Sequence, residues 1–235
     1  MREVKERGGH FIKIMISGLM DFNHYGVLTD TPMPADEVAA ITDIAHEAGF
    51  AVMAHANGDA AVSAAIAAGI DSVEHGAYLT EETLHQLAES RTVWVPTLAT
   101  IGNLVGEGRF PDEAVKPLLA YQEAAVAKAA ALGAYLAPGS DAGAWAVPHG
   151  KGGLDEQHWL REALGSDADT VLEDRKSVVE GKSVELGGRR IIKKKNKKNK
   201  KKKRKKQTMP LKIRTRSILH RHINATMIQT ASTRQ

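Results

Sequence analysis

The sequence predicts an α/β protein built on a parallel sheet. Two observations carry that prediction. Short β-rich runs alternate with helical stretches five times between residues 11 and 165. The runs are apolar almost throughout, as strands covered on both faces are. Five such units fit either an open doubly wound sheet or an arc of a (β/α)8 barrel. No GxGxxG motif follows the first strand, which weighs against a dinucleotide-binding doubly wound sheet.

The predicted strands are FIKIMIS (11–17), FAVMAH (50–55), DSVEH (71–75), TVWVPTL (92–98) and AYLAPGSD (134–141). The helical stretch 33–49 has Pro34 near its start and Gly49 past its end, the expected punctuation. The Ala-rich stretch 58–69 ends in Gly69. The stretch 79–90 offers Thr80 as N-cap with acids in its first turn. A long helix is expected over 110–133 and a last one over 154–165. Lys13 stands in the middle of the first strand, flanked by Phe11, Ile12, Ile14 and Ile16. In a buried strand an ammonium is costly unless it is paired or chemically altered.

Charge divides the chain of 235 residues into two parts. Residues 1–173 carry 10 Lys and Arg against 25 Asp and Glu, a net of −15, and residues 174–235 carry 22 against 3, a net of +19. An acidic body is therefore joined to a strongly basic tail, and the overall +4 describes neither. There is no cysteine, which excludes a disulfide framework and a thiolate metal site. No apolar run approaches the roughly 20 residues a membrane helix needs. The charged start MREVKERGGH lacks the apolar core of a secretory signal. These features fit a cytoplasmic protein with no membrane partner.

The polar residues at the strand ends hold the functional signal. His55 ends the second strand, His75 the third and Asp141 the fifth, while Lys13 sits in the first. A lone histidine at a strand end is ordinarily a hydrogen-bonded structural residue, and an aspartate before a loop is ordinarily a turn residue. The recurrence on four of five strands is what points to a site. Imidazole and carboxylate donors suit zinc and similar divalent ions, and a barrel brings its C-terminal strand ends together around one cavity.

The ordered set of Lys13, AHANG, EHG and GSDAG resembles the amidohydrolase superfamily, most closely its imidazolonepropionase-like and Xaa-Pro-dipeptidase-like members, over residues 8–165. The resemblance implies a partial (β/α)8 TIM-type barrel, about strands 4 to 8 with their helices. It implies two divalent metal ions, zinc first, with manganese, nickel or iron as alternatives. It also implies a CO2-derived carbamate on Lys13 that bridges them, which would answer the question the buried lysine raises. His55 and His75 would ligate one metal. Asp141 would ligate the other and act as general base. The substrate would be a small-molecule amide, cyclic amide, N-acyl amino acid or dipeptide, cleaved at a C–N bond.

The family's His-x-His pair does not precede Lys13. The only such triplet, His220-Arg221-His222, lies in the tail and is not assigned to the site. The chain therefore reads as the C-terminal half of a hydrolase. A half barrel leaves unpaired strand edges, so low solubility or homo-oligomerisation, weak metal binding and no turnover by the chain alone are expected.

Weaker candidates flank this set. His24 and Tyr25 follow the first strand and could touch substrate, as could His149 beyond Asp141. Asn57 and Gly58 follow His55 and are candidate pocket residues, and Thr97 could face either way. His46, His85 and His158 fall in helical patterns and read as surface or packing residues. The three tryptophans are scattered and form no stacking platform.

From Asp174 the text changes character. One reading is a disordered polybasic arm that binds nucleic acid through phosphates. With it goes the competing hypothesis of a catalytically inactive α/β protein with a nucleic-acid-binding arm. The other reading, which fits better, is translated sequencing adapter running into poly-A. GAT CGG AAG AGC GTC GTG encodes residues 174–179, and the match departs at Glu180 and Glu185. On either reading the tail stands outside the fold of the body.

Overall fold

The computed structural model describes residues 1–172. The expectations about residues 174–235, including His220 and His222, lie outside the described residues. Five strands, β1 (Phe11–Met15), β2 (Ala51–Ala56), β3 (Ser72–His75), β4 (Val93–Val95) and β5 (Tyr135–Leu136), form one sheet in the order β1-β2-β3-β4-β5. All four pairings are parallel, with Lys13 beside Met53, His55 beside Glu74 and Trp94 beside Leu136. Seven α-helices are described: α1 (Arg2–Glu6), α2 (Ala35–Glu47), α3 (Asp59–Ala67), α4 (Glu81–Glu89), α5 (Ala99–Gly102), α6 (Asp112–Leu132) and α7 (Gly152–Leu164). None is long and apolar enough to cross a membrane.

The strand order decides between the two architectures. Parallel crossovers are right-handed, so an order without reversal puts every connecting helix on one face of the sheet. A doubly wound sheet has to reverse its order at a switch point. This sheet is therefore an arc of a (β/α) barrel. Ile12, Ile14, Val52, Ala54, Ala56, Val73, Trp94 and Leu136 point to the helix side and share one cluster with Val38 and Ala45 of α2, Val62 of α3, Leu84 and Leu87 of α4, and Val126 and Ala129 of α6. Burying each larger aliphatic side chain there contributes about 1.5–3 kcal/mol. The alternate residues, among them Lys13, Met15, Met53, His55 and Glu74, face the inner side.

Local chemistry sets the element ends. Gly49 (φ 82) and Gly133 (φ 87) take left-handed conformations just past α2 and α6, as the sequence predicts. β4 and β5 are shorter than expected because Pro96 and Pro138 lack the N–H a ladder needs. The tail of the predicted fourth strand instead turns into α5, which the sequence does not announce. Thr80 precedes α4, yet its hydroxyl does not cap that helix. It donates to Asp59 Oδ1 at 3.0 Å, and the Thr80 N–H donates to the same oxygen at 2.8 Å. One carboxylate at the start of α3 thus secures the start of α4.

α7 inserts an acid into the interior. Glu156 is 1% exposed, and its Oε2 accepts the N–H of Ala99 at 2.8 Å, while Oε1 has no partner. Burial pushes this carboxyl up to about 8, against the lowering effect of the Ala99 and Leu98 N–H groups. A folded-state value above the unfolded one means the folded state keeps the proton longer. The stability this group confers is complete below the ordinary glutamate range and is lost as pH rises toward 8. Urea unfolding at pH 5 and pH 8 is expected to show the wild type losing up to about 1.4 kcal/mol per pH unit. Glu156→Gln should flatten that slope, and parallel profiles for the two proteins would contradict the assignment.

Candidate functional site

The C-terminal ends of the strands open onto a cleft of about 490 Å3 whose lining includes Lys13, His55, His75 and Asp141. The fold thus brings all four residues of the strand-end set to one cavity. Phe22, Phe110 and Trp145 form an aromatic wall, with the Arg109 guanidinium 4.1 Å from the Trp145 ring centre.

Lys13 does not sit as the sequence suggests. β1 is two-faced: its isoleucines pack on the helix cluster while Lys13 and Met15 are exposed on the inner face. The alternation of a strand explains this, because successive side chains take opposite faces. Among the described residues the Lys13 ammonium makes no ion pair, and its cost of burial is not incurred.

His55 stands on the inner face of β2 and is buried. Its Nε2 lies 3.1 Å from the carbonyl oxygen of Gly18. Asn57 Nδ2, a donor, lies 3.3 Å from the same nitrogen. In the tautomer that donates to the shorter Gly18 contact, Nε2 carries the proton and Nδ1 keeps its lone pair. Burial holds the imidazole below its ordinary range, reinforced by the Lys13 charge and opposed by the Gly18 contact and Asp141. Both effects favour a neutral ring with one free nitrogen.

His75 reaches the same place by a different route. Strand alternation turns Glu74 inward and would send His75 toward the helices. Instead His75 has φ 69, and the Gly76 N–H donates to Glu74 O at 3.0 Å. That is a γ-turn with positive φ, the rarer and more strained kind. The turn brings the His75 ring to 4.6 Å from the His55 ring, edge to face. His75 Nδ1 and Thr97 Oγ1 are 2.8 Å apart, which leaves Nε2 for another partner. Thr97 therefore faces the site, and its own φ of 48 is strained, as is the φ of 51 at Asp141. Such outliers gather at functional sites. Burial depresses His75 to about 3, with the His55 and Lys13 charges adding to it.

Glu74, beside His55 in the β2–β3 register but outside the cleft lining, is a buried acid that the sequence reading passes over. It is buried on the inner face, accepts from Ser72 Oγ at 2.7 Å, and is pushed up to about 7 by burial, against the Ser72 hydrogen bond and Lys13. Period-two counting from Val73 would have placed it there.

The remaining candidates fall elsewhere. Asp21 and Asn23 line the cleft, but His24 and Tyr25 do not. His24 Nδ1 lies 2.7 Å from Asp21 Oδ2, and Tyr25 stacks edge-on against Tyr78. His149 is exposed beside Gly143, outside the lining. Asn57 is a brace, since its N–H donates to Ser17 Oγ and its Oδ1 accepts from Ala77 N. His46 pairs with Asp71 at 2.9 Å, His85 with Glu81 at 3.8 Å, and His158 packs on Trp159. Among the described residues no group of three or more His, Cys, Asp or Glu side chains closes into a metal-holding cluster. The imidazole pair offers two nitrogen donors, and Asp141 and Lys13 share its cleft.

The structural neighbours of this chain are amidohydrolase-superfamily proteins, the class whose parallel barrel the five-stranded sheet reproduces in part. An amidohydrolase matches with a TM-score of 0.60 and 27% identity over 77% of this chain and 44% of that one. A. niger ochratoxinase matches with a TM-score of 0.59 and 26% identity over 73% and 39%. A Xaa-Pro dipeptidase with methionine in its active site shares the fold, at a TM-score of 0.61 and 24% identity over 76% and 45%. An uncharacterized protein of Mycobacterium tuberculosis is 37% identical over 127 residues, 51% of this chain and 34% of that protein. The chain thus spans about a third of the length of the curated relatives it matches. No family model matches it.

The γ-turn makes a sharp prediction. A Cβ on Gly76 would stand 2.4 Å from Trp94 Nε1 at φ 61, whereas one on Gly49 at φ 82 would meet nothing. Gly49→Ala should cost about 1 kcal/mol of unfolding free energy by denaturant titration, from φ strain alone. Gly76→Ala should cost about 1–3 kcal/mol more.

Proposed function

We propose that this chain supplies the metal-binding and proton-transferring half of a hydrolase that cleaves C–N bonds of amides, cyclic amides, N-acyl amino acids or dipeptides. The observation that carries the reading is the imidazole pair: two buried, neutral rings at neighbouring strand ends, each with a different nitrogen free, in the cleft that holds Lys13 and Asp141. Divalent ions of the zinc type prefer imidazole and carboxylate donors. His55 through Nδ1 and His75 through Nε2 would hold such an ion, with Lys13, as its carbamate, and Asp141 serving a second. A bound ion supplies Lewis acidity and makes water a nucleophile at neutral pH.

The chain's own residues then divide the work. The imidazoles stay neutral because protonation would place charge in a buried site, so their lone pairs remain available at pH 7. Asp141 takes the proton of the attacking water and returns it to the departing nitrogen. Water oxygen thus joins the acyl carbon, the C–N bond breaks, and the amine leaves protonated. The Phe22, Phe110 and Trp145 wall suits an aromatic or aliphatic substituent next to the scissile bond. Exposure of the Lys13 amine leaves it open to CO2 from solution. The amidohydrolase and ochratoxinase likenesses support the class of reaction without fixing the substrate.

Metal analysis tests the reading. The purified 235-residue chain, titrated with Zn2+ against a chromophoric chelator, should bind the ion, and His55→Ala or His75→Ala should weaken binding by about tenfold or more. Bicarbonate should strengthen it in the wild type and not in Lys13→Ala. Metal binding that is indifferent to both histidines would refute the assignment.

A further inference from the structure

Gln122 and Trp94 have no place in the chemistry above, yet both end on the strained turn. The carbonyl oxygen of His75 accepts from Trp94 Nε1 at 2.9 Å and from Gln122 Nε2 at 2.7 Å, and Gln122 Nε2 also lies 3.2 Å from the carbonyl of Gly76. We propose that these two side chains, from β4 and α6, form a clamp that holds the 75–76 peptide in its γ-turn and so aims His75 into the cleft. They are positioning residues, acting on the site through His75 alone.

Three observations support the clamp. The first is need: a residue with a Cβ in a positive-φ γ-turn requires outside support. The Gly76 N–H already serves Ala56 O and Glu74 O, each at 3.0 Å, so support has to act on the carbonyls. The second is fit: Gly76 leaves room for the indole, whose Nε1 occupies the space beside it. The third is the character of Gln122. Its side chain is wholly buried and its Oε1 has no partner. An amide with an orphaned oxygen is a poor choice for filling space, where leucine or methionine carries no such penalty. Its NH2 group, which must face the two carbonyls because they only accept, is the feature that distinguishes it from an apolar residue. Trp94 is likewise wholly buried with its one donor spent on the same oxygen.

The affinity arm of the test rests on His75 being a metal ligand, and the geometric arm does not. Gln122→Met and Trp94→Phe remove the donors while keeping most of the volume, and their double variant removes the clamp. Val126→Ala, on the same helix and in the same apolar cluster, is the control for general loss of stability. In the metal-free full-length chain, NMR should show ring-to-ring NOEs between His55 and His75 in the wild type and in Val126→Ala, and none in the double variant. Zn2+ affinity by chelator competition should fall about 10–100-fold in the double variant and change less than about threefold in the control. NOEs that persist in the double variant, or an affinity loss no larger than the control's, would overturn the clamp. A wild type that binds no Zn2+ while the double variant loses its NOEs would refute the metal reading and leave the clamp standing.

Discussion

A chain that lays down parallel strands in sequence order has one option for its connections. Each must return over the same face, and each return must be covered by a helix. That constraint sorts the residues of this protein. The apolar members of every strand are committed to the helix side, where Ile12, Val52, Val73, Trp94 and Leu136 share one core. The alternate members are released to the inner side, and the loops that carry chemistry all leave from one rim. The cleft exists because the sheet has no reversal.

Within the cleft, burial does most of the electrostatic work. It keeps His55 and His75 neutral, and beside them it raises Glu74, which lies outside the cleft lining. Lys13, which lines the same cleft, is exposed, and its amine is open to modification. Backbone strain adds to the arrangement at His75, which ends β3, and at Thr97 and Asp141, in the loops that follow β4 and β5. At His75 the pair of hydrogen bonds on its carbonyl, from Trp94 and Gln122, holds the turn in place.

Much of this was legible in the sequence. Alternating apolar runs and Gly-terminated helices foretold five strands in order, and Lys13, His55, His75 and Asp141, which stand out in the sequence by their recurrence at strand ends, all line one cleft. What escaped notice did so for physical reasons. The exposure of Lys13 follows from strand alternation, which puts it on the inner face of β1. His75 was expected at the site, but strand periodicity alone would have turned it away, and only the γ-turn brings it back. Glu74 obeys periodicity and was hidden beside a more conspicuous histidine. Gln122 lies 47 positions along the chain from the carbonyl it serves, and a glutamine in an Ala-rich helix gives no sign of that. His24, Tyr25 and His149 are near the strand ends in sequence, but their loops carry them outside the cleft lining.

The order of the sheet also bears on how the protein comes to be folded. Each strand pairs with the one made just before it, so each β-α-β unit can close while the ribosome is still making the next. A sheet with a reversed order would oblige an early strand to wait, exposed, for a partner synthesised much later. Here the first β-α-β closure, β1 on β2 across α2, needs only residues 11–56. The helix that carries Gln122 arrives after the turn it clamps, so His75 is expected to settle into its final orientation late in synthesis, once α6 has docked.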